Sequence, residues 1–208
     1  MREQTQLEEK WNFITHGIAV LASLAGSIVL LDKVDHKDQL AFNALLLYGG
    51  SLIFLYAASS VYHYVSRADL KNRLRILDHI GIYVLIAGTY TPVTLITLIH
   101  SKGWLLFTLV WSIAIVGTIL KLFFTGKYEI ISLLLYLVMG WLIVLDINTL
   151  SQIIGSEGMW FLKLGGIAYT SGIIFYTWKN LYFNHVIWHL FVVAGSTFHF
   201  IFILKYIS

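Results

Sequence analysis

Residues 184–204 read NHVIWHLFVVAGSTFHFIFIL, an apolar stretch that is interrupted by three histidines. A helix of about 20 apolar residues spans the hydrocarbon core of a bilayer. Histidine is costly in hydrocarbon, and in such a segment it usually marks a functional site. His185 and His189 lie one helical turn apart, so both imidazoles point the same way, as a metal-binding helix requires.

The composition places the rest of the chain in the membrane as well. Of the 208 residues, 58% are hydrophobic and only 12% are charged. A soluble domain of this length needs more charged surface, so the sequence predicts an integral membrane protein with lipids as its partners. The chain has no cysteine, which excludes disulfides, thiolate ligands and cysteine nucleophiles. The net charge of +3 reflects Lys and Arg beside the spans, so no nucleic-acid partner is expected.

Apolar runs of membrane-spanning length recur along the whole sequence. Seven are predicted, at residues 11–31, 39–64, 76–98, 103–123, 127–149, 160–178 and 184–206. The polar segments between them are too short for a soluble domain. The sequence therefore predicts an all-α, polytopic protein of the cell membrane, in which residues 1–208 form a single seven-transmembrane-helix domain.

The distribution of positive charge predicts the orientation. With a cytoplasmic N-terminus, nine Lys and Arg residues lie inside and five outside. The inner set is Arg2, Lys10, Arg67, Lys71, Arg73, Arg75, Lys121, Lys127 and Lys179, and the outer set is Lys33, Lys37, Lys102, Lys163 and Lys205. Cytoplasmic loops carry the excess of positive charge, so the N-terminus is predicted inside and the C-terminus outside.

On this topology the polar residues of four spans fall at one depth. They occupy the inner ends of the first, second, third and seventh spans: Glu9, Asn12 and His16; Ser59 and His63; Asp78 and His79; His185 and His189. The topology was assigned from Lys and Arg alone, so this coincidence independently supports a site at the cytoplasmic side.

Three of these histidines could together bind a zinc ion. Neutral imidazoles from His63, His185 and His189 form a plausible triad that leaves a fourth position for water. Asp78 is predicted to hold that water, either directly or as an outer acceptor. Ser59 lies one turn before His63 on the same face, where it would orient the water or a substrate carbonyl. Imidazole and carboxylate ligands favour zinc over a soft metal, while iron and manganese remain open.

The remaining histidines have simpler structural interpretations. His16, His79 and His199 each fit a hydrogen bond between helices. His199 lies ten residues beyond His189, about 15 Å along the helix, so the two cannot share an ion.

Several polar and small residues also have structural interpretations. Asp78 can instead pair with Arg75, Glu9 and Asn12 can cap the first helix, and Asp146 can serve as a hydrogen-bond partner. The glycines and the serine at positions 165, 166, 172, 195 and 196 are predicted to allow close helix packing. Pro92, the only proline, predicts a local kink in the third span.

The motifs that carry these residues are similar to those of a known family. They are ExxNxxxH (Glu9, Asn12, His16), SxxxH (Ser59, His63), LDHIGIY followed by AGTYTP (77–83 and 87–92) and HxxxH (His185, His189). In this order and spacing, and over essentially the whole chain, the sequence resembles the bacterial hemolysin III family. That family belongs to the progestin and adipoQ receptor (adiponectin-receptor-like) group of seven-helix membrane proteins.

The resemblance implies a zinc ion bound by His63, His185 and His189, with Asp78 contacting it through water. It also implies an inner N-terminus and an outer C-terminus. Members of the wider group look like alkaline ceramidases, which implies a metal-dependent lipid hydrolase. The receptor relatives carry a longer N-terminal cytoplasmic domain than this sequence does, so hormone-receptor function is not expected.

Three functions remain open at this point. The first is a ceramidase-like, zinc-dependent intramembrane hydrolase of a lipid amide or ester, with Asp78 and Ser59 as catalytic residues and a role in membrane lipid homeostasis. The second is a sensor of membrane state in which zinc is structural. The third is hemolysin-like cytolysis, for which the sequence shows neither a repeated amphipathic segment nor a polar stripe.

Overall fold

The structure, a computed structural model, describes residues 4–207, and all regular secondary structure within them is helical. The α-helices are α1 (Gln6–Lys33), α2 (Gln39–Tyr64), α3 (Ala68–Pro92), α4 (Gly103–Phe124), α5 (Glu129–Trp141), α6 (Ile147–Thr177) and α7 (Asn184–Tyr206). A π-helical turn, Val93–Thr97, follows Pro92, and a 3₁₀ turn, Leu142–Asp146, joins α5 to α6. The all-α prediction is confirmed; Arg2, which was counted among the inner charges, lies outside the described residues.

The helices identify a multi-span membrane protein. Within residues 4–207, six helical stretches are long and apolar enough to cross a membrane. Five correspond to predicted spans, whereas the fifth and sixth predicted spans fall within the single stretch Glu129–Thr177. The predicted polar separator SQIIGSEG, at 151–158, is helical except at Gly155, which has φ 68° and ψ −175°. Only glycine adopts this conformation readily, so the chain breaks there without forming a loop.

The first helix begins earlier than its apolar run. Thr5 is the N-cap: its hydroxyl accepts from the Glu8 N–H at 3.3 Å, and the Glu8 carboxylate accepts from the Thr5 N–H at 2.9 Å. This reciprocal pair is a capping box, which satisfies two backbone donors of the first turn. The interpretation of Glu9 and Asn12 as caps is therefore wrong, because the helix already has its cap.

The directions of the helices bring the histidine-bearing ends together. α2 runs antiparallel to α1 and α3, while α7 runs parallel to α1. These directions follow from pairs of contacts along each interface: Phe13–Ser60 and Ser27–Gly49, Leu55–Gly81 and Ser51–Gly88, and Thr15–His189 and Gly26–Phe200. The C-terminal end of α2 therefore meets the N-terminal ends of α1, α3 and α7.

The chain reverses between α5 and the second half of α6. α5 runs parallel to α3, since the Tyr136 hydroxyl donates to the His79 carbonyl and the Tyr90 hydroxyl donates to the Gly140 carbonyl. The second half of α6 runs antiparallel to α7, as contacts of Gly165 with His199 and of Gly172 with Trp188 show. Because α3 and α7 are parallel to each other, the two parts of Glu129–Thr177 run in opposite directions.

Two structural interpretations of polar residues are confirmed. His199 forms a hydrogen bond between helices, with its Nε2 3.2 Å from the Leu162 carbonyl oxygen on α6. The Asp146 carboxylate accepts from the Lys102 backbone N–H at 3.0 Å and from the Thr149 hydroxyl at 2.8 Å. Both residues therefore stabilise contacts between helical segments.

Among the small residues the prediction of close packing is right for three glycines. Gly165, Gly172 and Gly195 each lie directly against aromatic or imidazole rings on the facing helix. It is wrong for Gly166, which has no atom within 4 Å of the position a Cβ would take. Adjacent positions on a helix point about 100° apart, so only one of the pair faces α7.

Candidate metal centre

Three histidines from two helices meet at the end of the bundle where α2 ends and α7 begins. His63 lies in the last turn of α2, and His185 and His189 lie in the first turns of α7. One ligand nitrogen from each lies within 4.8 Å of the others. The His63 ring centroid is 5.1 Å from each of the other two rings, and those two are 4.6 Å apart. This cluster could hold a metal ion, and its all-imidazole donor set suits zinc.

The hydrogen bonds of His63 identify its free nitrogen. Its Nδ1 lies 2.7 Å from the Glu9 carboxylate oxygen Oε2. An ionised carboxylate can only accept, so Nδ1 carries the proton and Nε2 carries the lone pair. Within residues 4–207, Nε2 is buried and has no hydrogen-bond partner. Buried polar atoms are almost always paired, so this orphaned lone pair fits a metal ligand.

His189 presents the same tautomer by a different contact. Its Nδ1 lies 3.4 Å from the Thr15 hydroxyl oxygen. That hydroxyl donates to the backbone carbonyls of Trp11 and Asn12, at 2.9 and 3.0 Å, so its oxygen is left to accept from Nδ1–H. The lone pair of His189 is therefore on Nε2.

Two consecutive glutamates on the first turns of α1 hold both histidine-bearing helices. Glu9 binds the His63 ring on α2, and its Oε2 also accepts from the Lys71 amino group at 3.0 Å. Glu8 accepts from the backbone N–H of Phe183 at 2.8 Å, immediately before α7. Phe183 has φ 57°, a left-handed conformation that is rare for a bulky residue. The Glu8 contact therefore fixes the entry into α7.

The cluster opens into a cavity of about 410 Å³. Its polar lining includes the three histidines, His16 and Asp78. The apolar lining comes from α3, α5, α6 and α7 and includes Ile82, Leu85, Leu133, Leu137, Ile173 and Val192. The cavity therefore combines the polar side chains of the site with a substantial apolar lining.

Charged residues surround the same cavity. The Arg75 guanidinium donates to the Glu129 carboxylate at 2.8 Å, and Lys179 lies with its amino group 3.9 Å from the Tyr176 ring centroid. Burial lowers the pKa of the Lys179 amino group and Arg75 lowers it further, while Glu129 opposes the shift. Since Arg75 is engaged by Glu129, the alternative pairing of Arg75 with Asp78 is not formed.

Asp78 lines the cavity, and within residues 4–207 its one ion-pair contact, with His79, is long. Its Oδ2 lies 3.8 Å from the Nδ1 of His79, but that nitrogen bonds the Arg75 carbonyl oxygen at 2.7 Å. Asp78 is not among the groups whose ligand atoms lie within 4.8 Å of one another. The carboxylate is therefore in the same cavity as the histidines but outside their immediate cluster.

Ser59 is positioned differently from Asp78. It is fully buried, and its hydroxyl has no hydrogen-bond partner within residues 4–207. It does not line the cavity. The structure therefore brings His63, His185, His189 and Asp78 to one cavity and leaves Ser59 behind the wall formed by α2.

Three supporting contacts could hardly be predicted from the amino-acid pattern. Glu9 is part of ExxNxxxH, but its distance from His63 along the chain hides their pairing. Thr15 and Lys71 belong to no motif, and only the packing of α1 against α7 and of α3 against α2 reveals them. The only indication in the sequence was that the carboxylate of Glu9 is predicted at the same membrane depth as His63.

Comparison with known proteins decides the family. A family model described as "Haemolysin-III related" matches residues 4–200. The chain belongs to this family. It is similar to Hemolysin-3 of Bacillus cereus, with 42% identity over 100% of this chain and 96% of the relative. It is also similar to the Hemolysin-3 homolog of Bacillus subtilis (strain 168), with 40% identity over 96% of this chain and 94% of the relative.

More distant relatives of this haemolysin-III-related protein are found in animals. The human Monocyte to macrophage differentiation factor is 29% identical over 98% of this chain and 86% of its own length. This likeness connects the family to the progestin and adipoQ receptor group. The resemblance predicted from the sequence motifs is therefore confirmed both for the hemolysin III family and for the wider receptor group.

Proposed function

We propose that this protein is a zinc-dependent intramembrane hydrolase that cleaves an amide or ester bond of a membrane lipid, as ceramidases do, and serves membrane lipid homeostasis. The observation that carries the proposal is one cavity that combines three clustered histidines, a weakly engaged carboxylate and an apolar lining. Lipid-binding sites need an apolar volume, and hydrolysis needs an activated water beside a carbonyl.

In this proposal His63, His185 and His189 hold the zinc ion. The orphaned Nε2 of His63 and the tautomer of His189 support the assignment. A bound zinc ion supplies Lewis acidity, which polarises a carbonyl group and makes water a better nucleophile at neutral pH. Three protein ligands are typical of catalytic zinc sites, because they leave a position for the reactants.

The residues of the chain perform the proton transfers and the positioning. Asp78 accepts the proton of the attacking water and returns it to the departing amine or alcohol, as a general base and then a general acid. Ser59 contributes a hydroxyl donor behind His63; its buried, unpartnered oxygen supports a polar role. The apolar lining of the cavity accommodates an acyl chain, which reaches the site laterally between helices.

The same proposal includes seven membrane crossings, a cytoplasmic N-terminus, an outer C-terminus and residence in the plasma membrane. The reversal of the chain within Glu129–Thr177 and the backbone break at Gly155 support two crossings there. An odd number of crossings puts the termini on opposite sides. The excess of Lys and Arg in the proposed inner segments supports the orientation.

The test is lipid turnover by purified protein in vesicles. Zinc-loaded wild type is assayed with a ceramide and with a phospholipid ester, beside Asp78→Asn. We expect wild type to release fatty acid and Asp78→Asn to lose about 10²- to 10⁴-fold in rate while it keeps its zinc. Absence of turnover by fully zinc-loaded wild type on both lipid classes would rule out the proposed reaction.

A second candidate is a regulator of membrane state in which zinc is structural. Its support is that the cluster joins α2 to α7, which are far apart in sequence. Under this alternative, His185→Ala lowers thermal stability sharply, whereas Asp78→Asn with zinc retained changes no cellular phenotype. The catalytic proposal predicts that Asp78→Asn reproduces the phenotype of the deletion, so a complementation assay separates the two.

A further inference from the structure

The Glu9 carboxylate joins three helices next to the histidine cluster. Its Oε2 lies 2.7 Å from Nδ1 of His63 on α2 and 3.0 Å from the amino group of Lys71 on α3. The side chain of Glu9 is 24% exposed, whereas that of His63 is 1% exposed. The carboxylate therefore connects the edge of the cytoplasmic surface to a ring that is otherwise enclosed.

The contact determines which nitrogen of His63 is available. With the proton on Nδ1 bound to Glu9, the ring can rotate only at the cost of this charge-assisted hydrogen bond. Metal-binding histidines commonly donate their second N–H to a carboxylate, which fixes the tautomer and the ring plane and increases the basicity of the ligand nitrogen.

Lys71 in turn restrains Glu9. Its amino group donates to the carboxylate and also to the Tyr62 carbonyl oxygen at 3.2 Å, and it lies 4.6 Å from the Tyr62 ring centroid. The amino group of Lys71 is thereby held at the C-terminal end of α2, against the residue that precedes His63. The positive charge of Lys71 also complements the negative charge of Glu9.

We propose that Glu9 is a positioning residue of the metal centre, which orients His63 with Nε2 toward the ion and is itself held in place by Lys71. The inference rests on metal binding by His63, His185 and His189, as proposed above, but not on any reaction at that metal. It assigns a role to an acidic residue in direct contact with the histidine cluster.

The experiment measures metal affinity rather than turnover. Zinc dissociation constants of detergent-purified wild type, Glu9→Ala and Glu9→Gln are determined by competition with a chelator. The visible absorption of the Co²⁺-loaded proteins reports the ligand geometry, and thermal unfolding of the metal-free proteins reports the fold. Glu157→Gln is the matched control, since that exposed carboxylate accepts from the Tyr206 hydroxyl, at 3.0 Å, at the end of α7 opposite the histidines.

We expect Glu9→Ala to weaken zinc binding by about 10- to 100-fold and to alter the Co²⁺ spectrum. Glu9→Gln should lose roughly three- to tenfold, because its amide oxygen still accepts from Nδ1–H but carries no charge. Glu157→Gln should match wild type in both measurements.

Two results would overturn the inference. One rejects the role of Glu9 alone, and the other also rejects the metal centre. If wild type binds zinc and Glu9→Ala binds it within about threefold of wild type, only the role of Glu9 is rejected. If wild type itself binds no zinc, the metal centre and the role of Glu9 are rejected together. Where Glu9→Ala does not fold, a Glu9→Gln affinity within twofold of wild type rejects the role.

Discussion

The imidazole rings of His16 and His189 stack face to face, with centroids 3.5 Å apart and planes inclined by 9°. His16 is 3% exposed, and neither of its ring nitrogens has a hydrogen-bond partner within residues 4–207. Its ring also meets the Tyr56 ring edge-on at 5.0 Å. The expected hydrogen bond of His16 between helices is thus replaced by a stack that supports one ring of the metal cluster.

His16→Ala should weaken both the fold and the metal site. Loss of a buried ring costs about 1–3 kcal/mol, and His189 loses the surface that restrains its orientation. We expect a lower Tm for the metal-free protein and a severalfold weaker zinc affinity, measured by thermal unfolding and by chelator competition. His100→Ala, at an exposed position, should change neither quantity. An unchanged zinc affinity in His16→Ala would show that the stack does not restrain the ligand.

Metal content should separate the clustered histidines from the others. Wild type should bind about one zinc per chain, and His63→Ala and His189→Ala should lose it, because two imidazoles hold zinc poorly. His199→Ala is the matched control, since that ring bonds the Leu162 carbonyl oxygen instead. Metal analysis of purified protein after zinc loading and dialysis is the measurement. Stoichiometric zinc in His63→Ala would place the site elsewhere.

Glu8→Ala should destabilise the protein without removing a charge from the metal cluster. Glu8 is 1% exposed, closes the capping box with Thr5 and accepts from the Phe183 N–H. Loss of the cap and of a buried acceptor costs about 2 kcal/mol, which corresponds to a fall of roughly 4–8 °C in Tm. The Tm of Glu8→Gln should fall less than that of Glu8→Ala, because glutamine also completes a capping box. Equal Tm values for both variants would contradict this.

Two adjacent glycines provide a controlled test of the α6–α7 contact. Gly165→Ala places a methyl group into the His199 ring, whereas Gly166→Ala places one in open space. Both changes gain the same helix propensity, about 1 kcal/mol, so their difference isolates packing. We expect a lower Tm for Gly165→Ala and an equal or higher Tm for Gly166→Ala. Equal effects would show that α6 and α7 pack less closely than described.

Gly155→Ala should destabilise the break within Glu129–Thr177 through the backbone alone. A Cβ there would meet no atom within 4 Å, but φ of 68° is strained for any other residue. The expected cost is about 1–3 kcal/mol. Gly140→Ala is the control, because it too has open space around it but lies within α5. A stabilised Gly155→Ala would mean that the helix continues through this position.

Much of the site could be predicted because helical periodicity and membrane depth constrain it. The spacing of His185 and His189 fixes their common face, and the direction of α2 brings His63 to the same depth. Asp78 follows by the same argument from the direction of α3. For His63 and Asp78 the inference uses only the direction of each helix, so it survives errors of several residues at the helix ends.

The remaining features of the site depend on the direction of individual side chains, which helical periodicity and membrane depth do not determine. Ser59 shares a helix face with His63, yet it lies behind the cavity wall, because one face covers a wide angle. Glu9 near a helix start looks like a cap, and only the position of Thr5 shows that it is not needed as one. The break at Gly155 lacks the loop that a polar separator predicts, because one glycine conformation replaces it.

Phe183 has a left-handed backbone conformation in the connection between α6 and α7. This connection determines how α7 is rotated about its axis, and therefore where its two histidines point. Residues 178–183 are closed by hydrogen bonds at both ends, from the Leu181 N–H to the Trp178 carbonyl and from the Phe183 N–H to Glu8. One residue inserted there would turn α7 by about 100° about its axis and carry both of its histidines away from His63.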